Sequence, residues 1–298
     1  MPADVQETKK RLKVSLALAI GIGVLEIAGG FYSNSISLVS DAAHVFTDAM
    51  SIGLSLFAIT LATRMHVGVM TYGYHRAEVL AALANGLVLA GISVWVILEA
   101  VHRVINPAPI NGPVVILTAA AGLAANLAIV SLLKNDAHKS INVKSAFTHV
   151  LYDAVSSVAV LLVGLIVIVS GNTYADAIVA VFIAALIARS AYSIVKESTH
   201  ILLEGAPKDM DMNDIVNSIK EFQPVVDVHD LHVWTISSGM HALSGHVVVK
   251  DQMLSQYSSL VDDISRMLSA KFDIQHTTIQ LEHDREISFK RTKFPVTK

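Results

Sequence analysis

Two short stretches of this chain place ionisable side chains inside runs that are otherwise apolar. Asp41, His44 and Asp48 fall within residues 36–62, and His149 and Asp153 fall within residues 146–170. His44 and Asp48 are four residues apart, as are His149 and Asp153, so each pair occupies one helix face, one turn apart. Asp41 precedes His44 by three residues and shares that face. An Asp at the centre of a bilayer costs at least ~2.5–3.5 kcal/mol on insertion scales. A divalent cation held by two imidazoles and two carboxylates would offset that cost at all four side chains. The two stretches also match in sequence: residues 44–51 read HVFTDAMS and residues 149–156 read HVLYDAVS. The match falls on the costly residues.

Ligand chemistry narrows the cation. Tetrahedral nitrogen and oxygen coordination favours zinc. Magnesium demands an octahedral oxygen shell and calcium a larger one, so two His argue against both. Nickel, cobalt and cadmium stay open. Cysteine is absent, which excludes thiolate sites and disulfides. Imidazole binds metal only when deprotonated, with a reference pKa of ~6.5, so protons compete with the metal for His44 and His149. Exchange of protons for metal is the expected transport chemistry. A metalloenzyme would need an open metal position and a general base, and no HExxH motif is present. A channel would conduct without a pH gradient. No GxxxxGK[ST] loop is present to drive pumping with ATP.

The elements that must position these residues are membrane spans. Hydrophobic residues make up 53% of the 298, charged residues only 16% against roughly 25% in soluble domains, and the mean hydropathy is +0.56. Six runs reach the ~20 residues a crossing requires: 14–32, 36–62, 77–101, 113–133, 146–170 and 174–195. The first is read as a retained span, because no small-residue cleavage site follows it. Lys9, Lys10, Arg11, Lys13, Arg64, Arg76, Lys134, Lys139, Lys144, Arg189 and Lys196 fall on one side of this topology, and only Arg103 on the other. The asymmetry puts both termini in the cytoplasm, and the compactness of the chain makes the cell (inner) membrane the expected location. The second and fifth spans then run in opposite directions, as in inverted repeats that bind substrate at their interface. A formal net charge of −3 gives no reason to expect a nucleic acid partner.

Composition changes near Gly205, which divides a six-helix transport domain, 1–204, from a soluble domain, 205–298. In the latter, Ile215, Ile219 and Phe222 mark a helix, 225–236 and 242–250 read as strands, 254–272 as a helix and 274–281 as a third strand. The expected fold class is a multi-pass α-helical membrane protein with a C-terminal α+β domain of order α-β-β-α-β.

These segments resemble the cation diffusion facilitator family, zinc-transporting type. The resemblance rests on SLVSDAAHVFTDA, YGYHRAEVLAALANG, HVLYDAVSS, LLEGAP, HDLHVW and TIQLE. It implies His44, Asp48, His149 and Asp153 as transmembrane ligands for zinc, and often cadmium. It further implies a homodimer that exchanges metal for protons by alternating access, with a metallochaperone-like cytoplasmic domain. His229, His246 and Glu282 match positions that bind zinc in that domain in some members, so zinc is expected as substrate and as regulatory ligand, with no organic cofactor. Two departures stand out. The loop between spans four and five carries only His138, and Tyr74 replaces a His of a second site, leaving His66 and His75 nearby.

The remaining polar residues receive plainer readings. Asp41 either orients His44 or caps a helix. Glu26, Asn85 and Asn126 are expected to form interhelical hydrogen bonds. Glu99 and Asp176 reach water at the outer ends of their spans. Gly21, Gly23, Gly29 and Gly30 allow close helix packing, and Arg76 pairs with Glu78. In the tail, His229 and Leu231 share one strand face, and His232 and Trp234 the other. His232, His241, His276 and His283 are surface residues.

Overall fold

The computed structural model describes residues 3–46, 70–133, 141–237, 239–250 and 254–283. Helices α1 (Ala3–Ser33), α3 (Arg76–Ile105), α4 (Gly112–Leu133), α5 (Ile141–Ser170) and α6 (Tyr174–Leu202) are each long and apolar enough to cross a membrane. A shorter apolar helix, α2 (Ile36–Phe46), is the described part of the second expected span. Asp48, His66 and His138 lie outside the described residues. By packing, the chain divides into two compact units: residues 1–57 with 81–195, and residues 58–80 with 196–298.

In the first unit the large exposed apolar side chains, among them Leu87, Leu98, Leu117, Val169 and Phe182, stand outward, as a lipid solvent requires. Inside, Leu38, Leu89, Val115, Val160, Ile183 and Ile187 form one buried cluster. Helix α1 approaches its neighbours through glycine. A Cβ on Gly29 would stand 2.5 Å from Thr118 Oγ1, and one on Gly30 2.6 Å from Val39 Cγ2. Gly21, expected to act likewise, has nothing within 4 Å.

Helix α2 starts with backbone N–H groups that have no intrahelical acceptor. Asp176, in the first turn of α6, supplies one. Its carboxylate accepts from the backbone N–H of Ile36 (2.8 Å) and Ser37 (3.2 Å), and from the hydroxyls of Ser35 (2.6 Å) and Ser37 (2.5 Å). Asp176 is 1% exposed. It therefore does not reach water, as its place near the end of a span suggested; it is buried as a cap supplied from another helix. Beside it, Asn34 (φ +58°) turns the chain between α1 and α2. Arg103 donates to the Asn34 carbonyl, to Asn34 Oδ1 at 2.8 Å and to Glu99 at 3.1 Å.

The second unit contains the soluble fold, α7 (Met212–Lys220), β1 (Val225–Ser237), β2 (Met240–Val249), α8 (Leu254–Phe272) and β3 (Ile274–His283). The order matches the expected α-β-β-α-β. The sheet runs β1-β2-β3, with β1 antiparallel and β3 parallel to β2. A parallel neighbour needs a long crossover, and α8 is that crossover. Ile215 and Ile219 of α7 and Leu260, Ile264 and Leu268 of α8 pack on Val228, Val233, Leu243, Val247 and Ile274 of the sheet. In the same unit Arg76 pairs with Glu204 at 2.9 Å, and the Tyr72 ring meets His276 edge-on at 5.9 Å.

The Asp176 cap yields the first prediction. Each hydrogen bond to a charged group contributes about 1.5–3 kcal/mol, so Asp176→Ala should destabilise the detergent-solubilised protein by at least ~3 kcal/mol. A thermal unfolding midpoint unchanged from wild type would contradict this role.

Candidate metal centres

In the membrane unit, α2 presents His44 and α5 presents Asp153. His44 Nε2 stands 3.6 Å from Asp153 Oδ1, with side-chain exposures of 22% and 10%. That distance is too long for a hydrogen bond. It suits two ligands of one ion: donor atoms about 2.0–2.1 Å from zinc at a tetrahedral angle stand about 3.3–3.4 Å apart. Of the four residues expected here, these two are brought together. Asp48 is outside the described residues. His149 lies on α5, but its side chain is outside the description.

Asp41 takes a role that neither expectation anticipated. It sits inside α2 and is 1% exposed. The Ser156 hydroxyl lies 2.5 Å from Asp41 Oδ1 and 2.8 Å from the Asp153 carbonyl. The Ser157 hydroxyl reaches Asp41 at 3.5 Å and the Asp153 carbonyl at 3.0 Å, and Asn126 of α4 donates to Ser157 at 3.3 Å. Asp41 thus ties α2 to the turn of α5 that carries Asp153. Asn126 is an interhelical hydrogen-bond former, as expected. Glu26 is not: it is 0% exposed, and neither carboxylate oxygen has a hydrogen-bond partner among the described residues.

The second cluster lies on the sheet face opposite α7 and α8. His229 of β1 stands directly across from His246 of β2, with ring centroids 5.2 Å apart. Glu282 of β3 spans both: Oε2 is 2.9 Å from His229 Nε2, and Oε1 is 2.5 Å from His246 Nδ1. Ligand atoms of all three residues lie within 4.8 Å of one another. Hydrogen bonding from His246, with a smaller contribution from His229, holds the Glu282 carboxyl below the ordinary carboxylate range. The anionic form that binds metal is therefore the one the site favours.

Strand β1 departs here from simple alternation. His229 pairs with His246 and His232 with Ser244, so β1 carries one extra residue across this stretch. Asp230 absorbs it at φ +50°. The bulge reverses the faces downstream. Leu231 packs against the core, and His232 joins His229 on the outer face instead of opposing it. Asp230 then lies 3.1 Å from His232 Nε2 and 3.9 Å from His246 Nε2. Sequence reasoning passed over Asp230; the signal was an Asp between two His in HDLHVW, a residue type that tolerates positive φ. Among the described residues, no group of three or more ligands includes His75. His241 Nδ1 lies 3.2 Å from the Thr235 hydroxyl, and His276 packs on Tyr72.

The comparison with known proteins decides what these centres belong to. Residues 12–203 match the model of the cation efflux transmembrane domain, and residues 207–284 that of the cation efflux protein cytoplasmic domain. The chain belongs to the cation efflux family. It is an integral membrane cation transporter, not an enzyme. A cadmium, cobalt and zinc/H(+)-K(+) antiporter of Bacillus velezensis is 37% identical over 94% of this chain and 91% of its own length. The metal cation efflux system protein CzcD of Cupriavidus metallidurans is 35% identical over 92% and 86%. The zinc transporter ZitB of Shigella flexneri is 34% identical over 95% and 90%.

The sheet cluster makes a prediction that is separable from the membrane site. In an Asp153→Ala background, micromolar zinc should raise the unfolding temperature of the full-length protein, because a ligand that binds only the folded state stabilises it. Adding His246→Ala or Glu282→Ala should weaken that response by ~10-fold or more in zinc concentration. An unchanged zinc titration would remove the cluster as a metal site.

Proposed function

We propose that this chain exports divalent metal, zinc and with it cadmium, from the cytoplasm in exchange for protons by alternating access. The observation that carries this reading is His44 and Asp153 meeting at 3.6 Å between two membrane helices. Asp48 and His149, at the matching i,i+4 positions, complete a tetrahedral set of two imidazoles and two carboxylates. The charges cancel in the useful direction: two carboxylates neutralise one divalent ion, and neutral imidazoles add none. Protonated imidazoles would refill the emptied site, which couples metal exit to proton entry. The names of the relatives support zinc and cadmium as cargo, and the antiporter name supports the proton exchange.

Residues 1–204 form the transport domain in this reading and residues 205–298 the cytoplasmic one, with both termini in the cytoplasm of a bacterial cell. The protein acts as a homodimer, and the soluble domain supplies contact between copies. Metal on His229, His246 and Glu282 exchanges two side-chain hydrogen bonds for coordinate bonds. That would fix β1, β2 and β3 against one another and report cytoplasmic zinc to the membrane unit.

Proteoliposome flux with an imposed pH gradient tests the reading across zinc, cadmium, cobalt, nickel, iron and manganese. Zinc and cadmium should be carried fastest. Asp48→Ala and Asp153→Ala should each lower zinc flux by at least ~100-fold, since a buried tetrahedral site loses a ligand and a neutralising charge together. Zinc transport that persists in both variants would sink the assignment, as would full flux without any pH gradient.

A further inference from the structure

Glu26 is the one acid or base besides Tyr32 between residues 14 and 33. It is 0% exposed, and neither carboxylate oxygen has a hydrogen-bond partner among the described residues. Its carboxyl is nonetheless accommodated. Gly122 of α4 leaves the space it fills, since a Cβ there would stand 2.3 Å from Glu26 Oε1. The titratable groups facing it can be taken element by element. Helix α2 brings Asp41 and α5 brings Asp153, the like charges that bear on Glu26. Helix α4 has no ionisable side chain anywhere in Gly112–Leu133. Asp48 and the His149 side chain lie outside the description.

The contrast with Asp41 is informative. Asp41 is equally buried but is served by two serine hydroxyls, so its environment is built to hold a charge. No described residue does the same for Glu26. An ionised carboxylate without donors, in a medium that cannot solvate it, is far costlier than the neutral acid.

We propose that Glu26 is a proton-carrying residue of the exchange reaction: it is a neutral acid while the membrane site holds no metal, and it gives up its proton when a divalent ion arrives nearby. The balance is simple. The O–H bond of the Glu26 carboxyl breaks, the proton leaves to water, and the carboxylate's new negative charge offsets part of the ion's positive charge. Departure of the ion reverses the step. This deepens the proposed metal-for-proton exchange and rests on it. It adds one proton to those displaced from His44 and His149.

The experiment counts protons. Zinc binding to the full-length protein in detergent is followed by calorimetry in buffers of different ionisation enthalpy, which yields protons released per zinc. Wild type should release more protons than E26Q, by about one per zinc. E26D should restore the missing proton. Equal counts in wild type and E26Q overturn the proposal. So does an E26Q protein that fails to fold while E26D folds, because that outcome means the resting group is ionised. Infrared difference spectra of wild type supply a test without any variant: zinc should remove the C=O stretch of a buried carboxylic acid, and its persistence overturns the proposal. If wild type itself releases no proton on binding zinc, the exchange reading fails, an outcome distinct from failure of Glu26 alone.

Discussion

The architecture depends on one constraint: a bilayer supplies no hydrogen bonds, so every charge placed within it must be answered by protein or by cargo. The membrane unit answers four of its acids in different ways. Asp176 receives two backbone N–H groups and two hydroxyls, and becomes a helix cap. Asp41 receives serine hydroxyls from a neighbouring helix, and becomes a tie between α2 and α5. Asp153 meets an imidazole at a distance that leaves room for an ion. Glu26 has no donor for either oxygen among the described residues.

Helix α2 is the element on which these demands converge. Its first turn is fixed by Asp176 from α6, its middle is tied by Asp41 to Ser156 and Ser157, and the next turn presents His44. The octet shared by residues 44–51 and 149–156 gains a physical meaning at its last position. Ser156 is the residue whose hydroxyl reaches Asp41. The octet on α5 therefore ends in the polar group that ties α5 to α2.

The soluble domain solves a different problem. Its centre must gather ligands from three strands on an exposed face, while the opposite face buries Ile219, Ile264 and Leu268 under α7 and α8. Pairing register alone sets His229 across from His246. Glu282 comes within reach because β3 runs parallel to β2, which α8 as a crossover permits. The bulge at Asp230 then turns Leu231 into the core and His232 onto the face that carries His229 and His246. One extra residue changes which side chains can cooperate.

Periodicity and composition determined much by themselves. The apolar runs, the i,i+4 spacing of His and Asp, and the order of the soluble elements are local properties of the chain, written at periods of 3.6 and 2. They located the five described long spans and the α-β-β-α-β order. What they could not reach were partnerships across helices and strands. Asp176 looked like a span-end residue because the donors that serve it lie some 140 positions earlier in the chain. Asp41 was ambiguous between two local roles because the hydroxyls that reach its carboxylate are on α5. The faces of His232 and Leu231 were misassigned because a bulge is a property of the strand pair, visible only once both strands are in place. Glu26 carried the opposite error. An acid in a membrane helix is expected to find a donor, and only the packed neighbourhood, with Gly122 where a donor might have stood, reveals that neither of its oxygens meets one among the described residues.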